Sequence, residues 1–306
     1  MELRHLRYFI AVAEERSFTR AAARLGIQQP PLSQQVQALE YELRMKLFER
    51  LPRGVELTAG GAVFLAEARA VLAGLDRGAI RALRTADGQE GSISVGFTSS
   101  VTAHPLAPEI IRTYRHSYPS VALDFHEGNA ADLTEAVSRR ELDAAIVRAP
   151  VAQPAELVFH CLLDEDLLIA LPGKHPLALQ KHRRGQGGLS LKALANEPFI
   201  LVRRPGAPGM YADLIAACNQ LGFSPRIAAQ VGHMLTNIML VAAGVGVSAV
   251  PASMRDTLTD SVAYRALIQT PRLIAPITLI HRREETNPAA SRFIAITKRL
   301  ARKFSR

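Results

Sequence analysis

Apolar residues recur at three-to-four spacing through Leu3, Leu6, Phe9, Ile10 and Ala13, with Arg4, Arg7 and Glu14 off that face, which predicts a helix from Leu3 to Glu15. Ser17 offers an N-cap to a second helix, Phe18 to Leu25, with Ala21, Ala22 and Leu25 turned inward and Gly26 as a permissive end. Pro30 and Pro31 suit the entry of a third helix, where a missing N–H costs nothing, and Leu32, Val36, Leu39 and Leu43 form its apolar stripe. The spacing is that of a helix-turn-helix. Two short extended pieces flank Pro52-Arg53-Gly54 as a hairpin wing. Thr58 can cap a long helix to about Arg84, with Phe64, Ala68, Val71, Leu72, Leu75, Ala79 and Leu83 as a continuous seam. A seam of that length needs a partner, and the same helix of a second subunit is the economical one; packing on its own domain is the alternative. Residues 86–91 read as a polar hinge with two glycines.

From Ser92 the period changes. Strands are predicted over 92–97, 121–126, 144–147, 166–171, 199–202, 227–231, 247–250 and 277–280. Helices are predicted at 106–116, 131–139, 210–221, 233–243 and 290–304. Such alternation implies parallel sheets in doubly wound α/β layers. Residues 180–188 read as an exposed loop.

The outward face of the third helix carries Gln28, Gln29, Ser33, Gln34, Gln35 and Gln37. Amides pair bidentately with adenine and hydroxyls with either base edge, so the face suits a major groove of DNA. A merely solvated face would more often carry Lys and Glu. Arg50 and Arg53 flank the wing tip, where they would contact phosphate and contribute position rather than sequence reading.

Composition narrows the picture. At 306 residues the chain is long enough for two or three units, and 48% hydrophobic with 21% charged residues excludes disorder. A formal charge of +9 invites a polyanion. Yet residues 1–58 hold nine Lys and Arg against seven Asp and Glu, while the last thirty-eight hold nine against two, so most of the excess lies outside the helix-turn-helix. The basic tail reads as a solvated helix face. Two cysteines, Cys161 and Cys218, make no disulfide framework, and no stretch reaches ~18 apolar residues, so a cytoplasmic protein without membrane contact is expected. Absent Trp and 6% aromatics argue against stacking on single-stranded nucleic acid.

The segment from Leu3 to Ala62 resembles the DNA-binding region of the LysR-type transcriptional regulators. The marks are Phe9 and Ala13, the run Ser17-Phe18-Thr19-Arg20-Ala21-Ala22, Gln29-Pro30 with Ser33, Leu39-Glu40, Leu47-Phe48-Glu49-Arg50 and Leu57-Thr58. The resemblance implies that Gln29, Pro30, Ser33 and Gln37 face bases while Thr19, Arg20, Arg50 and Arg53 face backbone; Pro31 and Gln34 complete the candidate set. Gln34 stands where the family often has arginine. The resemblance further implies an all-α winged helix-turn-helix over 1–58, a linker and dimerisation helix over 59–86 and a hinge over 87–91. Two α/β lobes of periplasmic-binding-protein type would follow, lobe I from 92–163 and 268–306, lobe II from 164–267. Double-stranded DNA, a small organic effector, a dimer or dimer of dimers and RNA polymerase are the implied partners. The third-helix wording is similar to regulators of aromatic-acid catabolism.

Ligands of such sheets sit outside the carboxyl ends of strands, beside helix N-termini. Thr98, Ser99, Ser100 and Thr102 follow the first strand, Asn129 the second and Arg148 the third; Val202, Arg203 and His233 mark lobe II. Hydroxyls with an arginine suit a small carboxylate; helix capping and surface ion pairs are the plain alternatives. No GxSxG, HExxH or Walker pattern occurs, so neither an enzyme nor a cofactor or metal is expected. A cysteine redox-responsive regulator of the same fold remains an alternative if Cys161 and Cys218 meet.

Overall fold

The computed structural model describes residues 1–52, 54–148, 152–180, 188–202, 211–268 and 272–304. The chain divides into two compact units, Met1–Leu83 and Arg84–Arg306. In the first, α1 (Leu3–Glu15), α2 (Phe18–Leu25) and α3 (Gln29–Leu43) precede the antiparallel hairpin of β1 (Phe48–Leu51) and β2 (Gly54–Leu57). The long helix α4 (Ala59–Ala86) begins in this unit and ends three residues beyond it. The ends of these elements are chemical. The Ser17 hydroxyl accepts from Arg20 N, Gly26 adopts φ 67° and donates to the Ala22 and Ala23 carbonyls, and proline fills the start of α3. Phe9 is fully buried, its ring 5.3 Å from both Phe48 and Phe64.

A buried carboxylate joins α3 to the wing. Glu40 Oε1 accepts from the N–H groups of Leu47 (2.8 Å) and Phe48 (3.2 Å), and Oε2 pairs with Lys46 at 3.0 Å. These donors end the chain's turn out of α3 and have no strand partner there, so the carboxylate supplies what the backbone cannot. The Thr58 hydroxyl donates to Lys46 O (2.8 Å) and accepts from Gly61 N (2.8 Å), capping α4. Gly61 must be glycine because a Cβ there would sit 2.1 Å from Leu47 O.

The seam of α4 divides in two. Phe64, Leu65, Ala68 and Leu72 pack on the core of their own unit. Val71, Leu75, Ile80 and Leu83 are 46–67% exposed. A single continuous seam was predicted; helical geometry turns the later positions away from the small three-helix core.

The second unit opens with β3 (Glu90–Phe97), the short α5 (Ser99–Thr102), α6 (Leu106–Ser117), β4 (Ser120–Glu127), α7 (Ala130–Ser138), β5 (Ala144–Val147) and β6 (Leu157–Leu163). It continues through β7 (Leu167–Pro172), α8 (Pro176–Leu179), β8 (Gly188–Leu189), β9 (Pro198–Val202), α9 (Ala212–Gln220) and β10 (Arg226–Val231). Then come α10 (Met234–Ala242), β11 (Ser248–Pro251), β12 (Val262–Leu267), β13 (Ile277–Arg282) and α11 (Pro288–Phe304). One sheet has the order β4-β3-β5-β13-β6; four strands, β11-β7-β12-β8, and the pair β10-β9 make the other lobe, bridged by Phe199 and Val247.

The sheets are mixed rather than parallel as expected. β13 is antiparallel to β5 and β6, and β11 and β12 are antiparallel to β7. The chain leaves the first sheet after β6 and re-enters at β13, so a strand that returns from the other lobe arrives from the opposite end. β6, β8 and β12 went unpredicted. In Leu157–Leu163, His160 and Cys161 interrupt the apolar run, and in Val262–Leu267 the polar positions fit a short edge or a loop equally well. The return of β13 and α11 to the first sheet is as expected, with Phe293, Ile296 and Leu300 in its core.

Glu40→Ala should strand two buried N–H groups and cost about 2–4 kcal/mol of stability, whereas Glu40→Gln, which keeps an acceptor, should stay within about 1 kcal/mol. Denaturant melts of the two variants check this; equal losses would mean the charge, not the acceptor, matters.

Candidate functional site

On the first unit, Gln29, Pro30, Pro31, Gln34 and Gln37 are exposed along one face of α3, and Ser33 is half-buried at its base. Ser33 and Gln37 share a cavity of about 270 Å³ with Phe18, Val36, Glu40, Lys46, Phe48 and Arg50. The amide face and the Arg50 side of the wing are thus contiguous. Thr19 and Arg20 are exposed at the start of α2, and Arg20 is held by Glu15, donating to its carbonyl and lying 3.7 Å from its carboxylate. Arg53 lies outside the described residues. Lys46, exposed on the same cavity, carries a further cation that the sequence reading passed over.

Gln35 is not part of the outward face. Its Oε1 meets His5 Nε2 at 2.7 Å, while His5 Nδ1 accepts from Glu2 N at 3.2 Å. With Nδ1 an acceptor, Nε2 must carry the proton and donate, so α1 is tied to α3 by a defined tautomer.

In the second unit the predicted residues divide by role. Ser99 Oγ accepts from Met234 N at 2.9 Å, so a hydroxyl on one lobe caps α10 on the other. His233, the N-cap residue of α10, places Nδ1 3.1 Å from Glu127 Oε1. These contacts bring the ends of β3 and β4 against the start of α10. Thr98 is buried and its Oγ1 has no hydrogen-bond partner among the described residues. Asn129 caps α7, accepting from Ala131 N and Asp132 N at 3.0 Å each. Val202 ends β9, and Arg203 lies outside the described residues. Thr102 donates to Ser99 O and is exposed on a separate cavity of about 490 Å³ between α6 and β4, lined also by Phe97, Phe125 and Glu127.

Arg148 is 3% exposed, its guanidinium 2.7 Å from Glu165, itself 9% exposed. It also donates to Ala275 O (3.0 Å) and Ser100 O (2.8 Å), and Ser253 Oγ lies 3.4 Å away. The expectation of an arginine offered to an incoming carboxylate, or of a surface pair, gives way to a guanidinium engaged by the protein's own groups. Glu165 completes its contacts by accepting from Ser253 N. Beside the pair, burial and the Arg148 charge hold His104 below the ordinary imidazole range, against the pull of Glu165. No local signal marked Glu165, because its partner comes from a different strand end.

Both thiols are free, and they do not meet: Cys161 is exposed on β6 and Cys218 is buried in α9 within the other lobe's core. Burial raises Cys161 and pushes Cys218 up to about 11, away from reactive thiolate. The described residues contain no group of three or more His, Cys, Asp or Glu placed to hold a metal. None of the described helices is long and apolar enough to cross a membrane.

Comparison with known proteins accords with both halves of this geometry. Residues 3–62 match the family model of the bacterial regulatory helix-turn-helix protein, lysR family, and residues 86–302 match the LysR substrate binding domain. The chain is 37% identical over 297 residues to the HTH-type transcriptional regulator AlsR of Bacillus subtilis (strain 168), covering 97% of this chain and 95% of AlsR. It is 38% identical over 294 residues to BudR of Raoultella terrigena, covering 96% and 99%. The crystal structure of full-length CbnR complexed with its target DNA superposes with a TM-score of 0.81 at 30% identity, covering 98% of this chain and all of that one. With a helix-turn-helix and two effector-type lobes in one chain, and matches over nearly its whole length, this protein belongs to the LysR family of DNA-binding transcriptional regulators.

Proposed function

We propose that the α3 face reads base edges while α2 and the wing hold phosphates, and that a small organic acid bound between the two lobes controls the outcome. The observation that carries the DNA half is the exposed run Gln29, Pro30, Pro31, Gln34 and Gln37, continuous through Ser33 with Arg50. Hydrogen-bonding groups specify and cations position, so Thr19, Arg20, Arg50 and Arg53 take the backbone. That the CbnR structure is a complex with DNA supports this reading.

For the effector, support comes from the unpartnered Thr98 hydroxyl, buried one residue before Ser99, whose own hydroxyl reaches α10 of the other lobe beside His233. A buried hydroxyl without a partner is the state that a bound oxygen or water completes. Ser99 still has its own proton to donate, and the start of α10 presents N–H groups toward an anion. Thr98, Ser99, His233 and Arg203 contact the carboxylate; Asn129 and Val202 border it; Arg148 and the Ser100 carbonyl hold the loop. Thr102 stands apart from this cluster. Aromatic acids are the first class to test.

The exposed half of α4 supports self-association: Val71, Leu75, Ile80 and Leu83 are large apolar groups in water on one helix. A two-fold dimer through 59–86 places two α3 helices for a palindromic site, and dimers pair into tetramers. RNA polymerase is the further partner of such a complex in the cytoplasm.

In binding titrations Ser33→Ala should lower discrimination between cognate and random duplex by about 1–3 kcal/mol, while Arg50→Ala should weaken all duplexes and reduce the salt slope by about one. Equal affinity of the unaltered protein for specific and random DNA would sink the base-reading assignment. A thermal-shift screen of aromatic and aliphatic acids should yield a stabilising ligand whose affinity drops about five- to tenfold in Thr98→Val, the worth of one hydrogen bond; an unchanged affinity puts the site elsewhere. Leu75→Glu with Ile80→Glu should reduce the sedimenting mass at micromolar concentration, and a folded protein of unaltered mass would exclude α4 as the interface.

A further inference from the structure

The first sheet carries a cluster that neither DNA binding nor an effector uses. His160 on β6 and His281 on β13 lie diagonally on one face, since His160 opposes Leu279 and His281 opposes Val158. Their rings stack with centroids 5.3 Å apart and planes inclined by 23°. Lys298 of α11 brings Nζ to 3.5 Å from His281 Nε2. On its other side, His281 Nδ1 lies 2.7 Å from the Arg282 carbonyl oxygen. A carbonyl can only accept, so Nδ1 carries the proton and Nε2 presents its lone pair to the amine. Amine, imidazole and orienting carbonyl form a row of nucleophile, base and base-holder.

We propose that Lys298 is a reactive amine, a modification site at which an activated acyl donor, a thioester or an acyl phosphate, is captured as an amide. The Nζ lone pair attacks the acyl carbon and the N–C bond forms. The bond from that carbon to sulfur or to phosphate oxygen breaks, and the leaving thiolate or phosphate takes the electron pair. The proton shed by nitrogen passes to His281 Nε2. No oxidant or reductant is needed. Three features prepare the site. Lys298 is only partly exposed, and burial lowers its pKa, enlarging the neutral fraction. Burial likewise keeps His160 and His281 below the ordinary imidazole range, Lys298 adding to the effect at both, which favours the neutral form of the base. The neighbouring Arg282 is turned to Asp143 and Glu285, and among the described residues the amine has no carboxylate partner.

The chain has six lysines among its 37 basic residues, which makes the test clean. The full-length protein is incubated with acetyl phosphate in one arm and acetyl-coenzyme A in the other, and acylation at each lysine is followed by mass spectrometry. Lys298 should acylate about tenfold faster than the exposed Lys174, Lys192 and Lys303 near neutral pH, below what a positioned base contributes in an enzyme. Its rate should also rise at lower pH than theirs. His281→Gln should bring Lys298 down to the common rate, while His160→Gln should leave most of the advantage. Whichever arm reacts identifies the donor class. A Lys298 rate equal to the other three, in both arms, overturns the proposal, as does an advantage that survives in a folded His281→Gln. If that variant fails to fold, the wild-type pH profile decides: an inflection shared with the exposed lysines overturns it equally.

Discussion

The Arg148–Glu165 pair is the contact on which the second unit is organised. Moving two charges out of water costs several kcal/mol per ion, and the cost is offset only when further hydrogen bonds satisfy both groups. Here the remaining groups of the pair reach both passages between the lobes, although Arg148 Nε has no hydrogen-bond partner among the described residues. Arg148 follows β5 in one sheet, Glu165 lies between β6 and β7, Ala275 stands just before β13 and Ser253 follows β11. Both crossings of the chain are therefore tied to one guanidinium. The same group holds the Ser100 carbonyl, which fixes the short α5 and with it Thr98 and Ser99. What the lobes offer a ligand thus depends on an ion pair that the ligand need not touch.

A smaller version of the same logic governs the DNA-binding unit. Glu40 is buried because two backbone donors of the turn into β1 have no strand to pair with, and its carboxylate takes both. That contact sets the wing against α3 and so makes Ser33, Gln37 and Arg50 neighbours around one cavity. His5 does the complementary work from α1 through Gln35. Buried polar groups here serve as positioning contacts, and the outward amides and cations inherit their placement from them.

Much of this was legible in the residues. The helices and wing of the first unit follow from periodicity and end chemistry, and Ser17, Gly26, Pro30 and Thr58 act where such residues act in any protein. The outer face of α3 was readable because its amides occupy the positions that the apolar stripe leaves free. Gln35 was the exception, since a half-turn of helix carries it to His5, and only the neighbouring helix decides that. In the second unit, β7, β9 and β11 with clean apolar runs were found, whereas β6, interrupted by His160 and Cys161, and β12, interrupted by Arg265, were not. Of the hydroxyls and amides at strand ends, Asn129 does the plain work of a helix cap, Ser99 caps a helix in the other lobe, and Thr98 is left over.

By itself, then, the sequence determined local structure and the outward polar face of α3, because these depend on spacings of a few residues and on groups that act within one or two turns. Tertiary structure decided what depends on distant partners. It made the sheets mixed by returning β13 from the other lobe, and it divided the α4 seam between a packed half and an exposed half. It took Arg148 out of the cleft and gave it to Glu165, and it set Lys298 beside His281. Each of these pairs residues that are neighbours only after the chain has crossed between layers, and no local pattern encodes such a meeting.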